Sequence, residues 1–196
     1  MKTSRILFGF LAAAVLHLSA PVTALAAADT STMQIDAKFT PPIAGDSTST
    51  NHPGEISVVS FKLGVSQKGT AGNGAGLGAG KAEFQPMTIY KYLDKASARL
   101  FVSCAAGTHF TSMVLSVSDV DVETQGIKSL LTIELKNVLI ESIDTDSTTV
   151  DSAGRLVESV TLHYTSAFWT YYAPDGQVFS GGWDLRGNKE IKPTPQ

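Results

Sequence analysis

The residues with the clearest chemical potential lie in one run, GTAGNGAGLGAGKAEF, from Gly69 to Phe84. A glycine-rich run ending in Gly80-Lys81 is the kind of segment that cradles phosphate with main-chain N–H groups. Its spacing rejects that chemistry. A phosphate loop ending at this lysine needs glycine at position 75 and a hydroxyl at 82, and both positions are alanine. The dinucleotide fingerprint G-x-G-x-x-G fails at each start, meeting Leu77, Ala79 or Lys81 where its third glycine belongs. Glycine with alanine and asparagine reads instead as a long mobile loop.

The other reactive side chains are scattered. His52, His109 and His163 stand at no zinc-binding spacing, and no C-x-x-C or H-E-x-x-H is present. His163 falls on the polar face of its strand, where a solvated histidine is expected. No G-x-S-x-G elbow exists, and Cys104 sits among alanines as a small apolar residue would. Asp144, Asp146 and Asp151 form an acidic loop, but Thr149 stands where a calcium loop starting at Asp144 needs glycine. Asp119, Asp121 and Glu123 line one strand face, as a solvated face does. No catalytic constellation stands out, so a non-enzyme with no cofactor and no metal is expected; an enzyme with a dispersed Ser/His/Asp site is the remaining alternative, because triads are set by fold rather than spacing, and calcium at the acidic loop has no sequence support.

The elements around these residues are mostly strands. Met33, Ile35 and Ala37 alternate with polar residues, followed by a turn-rich loop from Pro41-Pro42 to Pro53-Gly54. A strand over 56–66 points Val59, Phe61, Leu63 and Val65 to one face. A strand over 83–93 contains Pro86, which lacks an N–H and so belongs at an edge or bulge. The run from Asp94 to Gly107 predicts the one convincing helix, of about three turns, with Asp94 capping its start and Gly107 ending it. Met113, Leu115 and Val117 share a strand face, and the jump in apolar phase to Val120 and Val122 predicts a bulge or turn. Further strands are expected over 130–143, with Leu131, Ile133 and Leu135 inward, and over 158–172, with Val160, Leu162, Tyr164 and Phe168 inward. Polar residues 144–154 read as a loop, and one more strand is expected within 178–191. The predicted fold is mainly β: a compact antiparallel barrel or two-sheet sandwich with one flanking helix.

Residues 1–28 are expected to be a secretory signal peptide. Lys2 and Arg5 precede an apolar run from Ile6 to Leu18, and Ala24-Leu25-Ala26 and Ala26-Ala27-Ala28 offer cleavage sites. Residues 29–191 form one domain, and 192–196 a disordered tail. Without 1–28 the chain has 13 basic and 18 acidic residues, a net charge of −5. That disfavours nucleic acid or an anionic membrane as partner. A single cysteine excludes an internal disulfide, so the core alone must stabilise the domain.

Four segments taken in order resemble the haemolysin-coregulated protein (Hcp) family of type VI secretion. They are GEISVVSFKLGVSQ, the glycine run, GKAEFQPMTIYKYLDKASARLFVSCAAGTHF and GGWDLRGNKEI. The resemblance covers about residues 33–191. It implies a β-barrel with one helix, and a structural subunit that forms hexameric rings with a wide channel. It implies that the rings stack into a tube inside a sheath, with sheath, spike or effector proteins as partners and effectors carried in the channel. It also implies that the glycine-bearing segment packs on a neighbouring ring, which maps here to Gln67, Lys68, Gly69, Gly72, Gly74, Gly76, Gly78 and Gly80. The expected location is periplasmic or extracellular. The alternative is an exported stand-alone binding module of the same fold, without a tube role.

Overall fold

The computed structural model describes residues 33–72, 75–120 and 126–193. The expected signal peptide, the 123–127 turn apart from its last two residues, and the last three residues of the chain lie outside them. Eleven strands and one helix occur among the described residues: β1 (Gln34–Thr40), β2 (Ile56–Lys62), β3 (Val65–Gly72), β4 (Ala75–Phe84), β5 (Met87–Tyr92), α1 (Ser97–Ala105), β6 (His109–Val120), β7 (Ile127–Val150), β8 (Leu156–His163), β9 (Ser166–Tyr172), β10 (Val178–Asp184) and β11 (Lys189–Ile191). Nine strands make one antiparallel sheet in the order β11-β10-β9-β7-β6-β1-β2-β5-β8. β8 also pairs with β7, which closes β7, β6, β1, β2, β5 and β8 into a barrel. Full closure removes the exposed edges that an open sheet would leave. β9, β10 and β11 continue outward from β7 as a wing, and β3 and β4 form a separate two-stranded sheet.

The alternation of apolar residues builds the barrel interior. Ile35, Ala37 and Phe39 of β1 face inward beside Val117, Leu115 and Met113 of β6, and all six are buried. A register shift follows between Val117 and Ser118, the bulge that the phase jump predicts. Ile133 and Leu135 are buried as expected, but the inward parity then changes to Val138 and Ile140. The change occurs at Asn137, whose φ is +48°. Asparagine tolerates this left-handed conformation better than most side chains. At this corner β7 exchanges β9 for β8 as its neighbour, and Asn137 Nδ2 donates to Thr165 Oγ1 at 2.8 Å.

Several expected elements are corrected. The strand over 56–66 is two strands, broken at Leu63-Gly64. Ile56 and Val58 are its buried residues, and a bulge between Val58 and Ser60 then switches parity, so Phe61 and Leu63 pack against the core as expected while Val59 and Val65 are exposed. Pro86 ends one strand rather than lying inside it: Gln85-Pro86 separates β4 from β5. Residues 144–150 continue β7 instead of forming a loop: Asp144, Thr145 and Val150 pair with β8, and 146–149 fall in a register irregularity between them. The strand over 158–172 breaks at Tyr164-Thr165, and its halves pair with successive parts of β7, the first also joining β5 and the second β10. Ala167, not Phe168, takes the core position after that break. The 178–191 strand is a hairpin of β10 and β11.

The helix is shorter than expected, and Asp94 acts differently. Ala96 occupies the cap position without a side-chain cap bond, while the Asp94 carboxylate accepts the Ala96 N–H at 2.9 Å. Asp94 is held there by Lys91, whose Nζ lies 2.7 Å from it. At the other end Gly107 has φ +60°, and the N–H groups of Gly107 and Thr108 donate to Cys104 and Ser103 carbonyls. That is the paired-bond stop that only a residue at ease with positive φ allows.

A polar network fixes the start of α1 to the barrel. Lys91 and Glu158 are fully buried and 2.8 Å apart. Lys91 Nζ also donates to the Tyr92 carbonyl at 2.6 Å and to Ser97 Oγ at 3.1 Å. The Ser97 hydroxyl donates to Glu158 at 2.6 Å, and Thr145 donates to its other oxygen at 3.1 Å. Buried charges are tolerated when paired and hydrogen-bonded in this way.

Candidate assembly surface

The glycine run is a ladder rather than a shapeless loop. Gln67 pairs with Ala82, Gly69 with Ala79, Thr70 with Gly78 and Gly72 with Ala75. The register shifts twice. Gly80-Lys81 opposes the single residue Lys68, and Gly76-Leu77 opposes Ala71. Each shift places two residues of β4 against one of β3, the geometry of a β-bulge. The sequence-derived stacking residues therefore fall on one hairpin: Gln67, Lys68, Gly69 and Gly72 on β3, and Gly76, Gly78 and Gly80 on β4. Gly74 lies outside the described residues.

The base of the hairpin is tied to the barrel. Gln85 N–H donates to the Gly64 carbonyl at 2.9 Å, and the Tyr164 hydroxyl donates to the Gln85 carbonyl at 3.0 Å. Burial pushes the Tyr164 phenol up to about 12. Beside this anchor is a small apolar cavity of about 160 Å³, lined among others by Leu63, Val65, Phe84 and Trp169.

The wing carries an uncovered continuation of the core. Ala167, Trp169 and Tyr171 share one face of β9. They register beside Leu135, Ile133 and Leu131 of β7, and beside Trp183, Gly181 and Phe179 of β10. Leu135, Ile133 and Ala167 are buried, but Trp169, Tyr171 and Phe179 are 40, 42 and 56% exposed. The Tyr171 and Phe179 rings stack with centroids 6.5 Å apart. Phe168 lies on the opposite face, where it lines a polar groove of about 400 Å³ with Glu134, Lys136 and Thr170. The hydropathy of β9 alone did not distinguish a buried second face from an exposed one. The missing signal was what lies over that face, which is covered at Ala167 and left exposed at Trp169 and Tyr171.

The residues considered for chemistry do not converge. Among the described residues no group of three or more His, Cys, Asp or Glu side chains is placed to hold a metal. His163 is exposed and pairs with Glu141 at 3.1 Å, and His52 pairs with Glu55 at 3.1 Å. Cys104 is half-buried, its thiol 3.6 Å from the Glu141 carbonyl. The three acids of the expected loop act separately. Asp144 accepts from Ser142, and Asp146 accepts the N–H and hydroxyl of Thr148, which lower its pKa. Asp151 accepts the Arg155 N–H and pairs with its guanidinium, and its pKa falls to about 2, chiefly through that backbone hydrogen bond. Arg155 in turn lies over the Tyr92 ring, 3.8 Å from its centroid. Asp121 and Glu123 lie outside the described residues.

Known proteins share this arrangement. A family profile described as "Type VI secretion system effector, Hcp" matches residues 32–171. Protein hcp1 of Pseudomonas aeruginosa is 33% identical over 152 residues, covering 74% of this chain and 91% of that protein. The crystal structure of Hcp1 from Salmonella typhimurium superposes with a TM-score of 0.67 at 25% identity, over 82% of this chain and 99% of that one. A structure described as a type six secretion system protein gives 0.71 at 23% identity, over 81% and 99%. With the barrel, the helix and most of the sequence matched along nearly the whole of these relatives, this chain belongs to the Hcp family of the type VI secretion system.

Proposed function

We propose that this Hcp protein is a structural subunit that closes into hexameric rings, that the rings stack into a type VI secretion tube, and that effectors ride in the ring channel. The observation that carries the ring is the aromatic row of the wing. An apolar face continuous with a barrel core, yet exposed at Trp169, Tyr171 and Phe179, is the surface that association would cover. Ring closure needs two different faces of each subunit to meet head to tail. The β3–β4 hairpin, anchored through Gln85 and Tyr164, serves stacking between rings. Ordering it against a neighbour costs entropy, which a preformed ladder reduces.

Light scattering after size exclusion, with negative-stain imaging, tests the ring. The expected result for the chain without residues 1–28 is a sixfold mass and round particles with a central hole. Trp169→Glu should shift that mass toward the monomer. A monomeric parent protein across a wide concentration range would refute the ring. The basic start, apolar run and alanine-rich end of residues 1–28 support an exported protein, periplasmic or extracellular. They favour a second reading, an exported stand-alone binding module, which that same monomer result would select.

A further inference from the structure

Three of the four buried side-chain atoms without a hydrogen-bond partner among the described residues fall in one region of the barrel. They are Gln34 Oε1, Ser49 Oγ and Ser118 Oγ. Gln34 and Ser118 are register partners on β1 and β6. Asp36, two residues further along β1, lies on the same outward face between Ser57 of β2 and Ser116 of β6. Asp36 is 2% exposed, Ser118 2% and Ser49 5%. No hydrogen bond or ion pair engages the Asp36 carboxylate among the described residues. This outer face of the barrel should be open to water. Ser47 and Ser49 of the 43–55 segment line the same space as Gln34, Asp36 and Ser57.

That segment is held tightly. Gly45 N–H donates to the Gly54 carbonyl and Gly54 N–H to the Ser47 carbonyl, each at 2.8 Å, and Ser47 N–H donates to Glu55 at 2.9 Å. A Cβ on Gly45 would lie 2.3 Å from the Glu55 carbonyl oxygen, so only glycine allows the close approach. Between segment and sheet is a cavity of about 380 Å³, walled by Gln34, Asp36, Ser47, Ser49 and Ser57, with Arg155 at its edge.

A buried carboxylate without a partner is costly, and unpaired hydroxyls and amides add to the cost. Arg155 does not neutralise Asp36 by pairing, since Asp151 at 2.7 Å and the Tyr92 hydroxyl at 2.6 Å hold its guanidinium. The cavity thus presents the Asp36 carboxylate amid neutral oxygen-bearing groups, with the Asp151-paired Arg155 guanidinium also in its lining. One carboxylate is a weak donor set for a divalent metal, whose affinity follows the number of charged ligands. The volume is also about tenfold the ~30 Å³ share of one water, and within the range of small-molecule pockets.

We propose that this cavity binds a small hydrophilic monocation, a primary ammonium compound bearing hydroxyl groups. Asp36 accepts the ammonium N–H groups in a charge-assisted hydrogen bond. Gln34, Ser49 and Ser57 meet the hydroxyls. The site lies on the barrel at the start of β1, where Gln34 registers with Ser118 of β6.

Isothermal titration of the purified chain with glucosamine, glucose and calcium chloride tests the assignment. Glucosamine and glucose differ in the charge that Asp36 would read. The expected result is glucosamine binding at least tenfold tighter than glucose. Asp36→Asn should weaken glucosamine binding at least tenfold, with Ser49→Ala weakening it less, while circular dichroism shows both variants folded. Equal affinity for the two sugars, no binding of either, or unchanged glucosamine binding by Asp36→Asn would overturn the proposal. Calcium binding without glucosamine binding would overturn it in favour of a metal site.

Discussion

Replacing Lys91 by Met tests how the helix is fixed to the barrel. Methionine keeps an unbranched stem of similar length and removes the charge. It leaves the Glu158 carboxyl fully buried and without its cation, and it frees Asp94 from the contact that holds it beneath α1. Thr145 and Ser97 still donate to Glu158, so the loss is not total. Removing one partner of a buried ion pair costs about 3–5 kcal/mol. For a domain of this size about 1 kcal/mol moves the midpoint by roughly 2–4 °C, so the melting temperature should fall by on the order of 10 °C. Urea unfolding at fixed protein concentration provides the measurement, because any assembly makes apparent stability concentration-dependent. Adding Glu158→Gln to Lys91→Met should recover part of the loss, since the stranded charge is then gone. The interaction energy from that double-mutant cycle reports the pair directly. A loss below about 1 kcal/mol for Lys91→Met, or strictly additive single effects, would show that the network is not what holds the helix.

Other expectations follow from the same geometry. Tyr164→Phe removes the hydroxyl that donates to Gln85 and should cost about 1 kcal/mol. The Tyr164 pKa is raised in the fold, so its contribution is fully present below about 10, the ordinary tyrosine value, and is lost as pH rises toward about 12. Denaturation of wild type and Tyr164→Phe between those values should therefore converge; parallel curves would refute the assignment. Asp151 has a lowered pKa, so its contribution is present above the ordinary value of 3.8 and is lost as pH falls through about 2. A carboxyl NMR titration should show this midpoint, and Arg155→Ala should raise it by removing the guanidinium contact while keeping the backbone bond. An unchanged midpoint would contradict the ion pair. Deleting residues 72–78 should leave the melting temperature within about 2 °C, since the hairpin is a separate sheet, while stacked rings disappear in negative stain. Unfolding of the deletion variant, or undiminished stacking, would refute the hairpin's assembly role.

The sequence by itself determined the class of fold, the helix and the absence of a phosphate loop. Period-two alternation marks Ile35 and Ala37, and Met113, Leu115 and Val117, because each lies in a strand with one face inward, although Met33 of the first set is exposed and Phe39 extends it. Gly107 ended the helix legibly, because positive φ is a local property of glycine. Tertiary structure decided where strands break and which face of β9 stays open. Asn137 and the Val58–Ser60 bulge reverse inward parity through pairing with distant strands, which no short window contains. The glycine run became a ladder although propensity disfavours glycine in strands, because β3 and β4 pair with each other. Asp36 and Ser118 read as solvent-facing residues of alternating strands, and on strand geometry alone they are. Both are buried in the folded chain, and Asp36 shares a cavity with Ser47 and Ser49 of the 43–55 segment, so the cavity arises from a tertiary contact rather than from any motif.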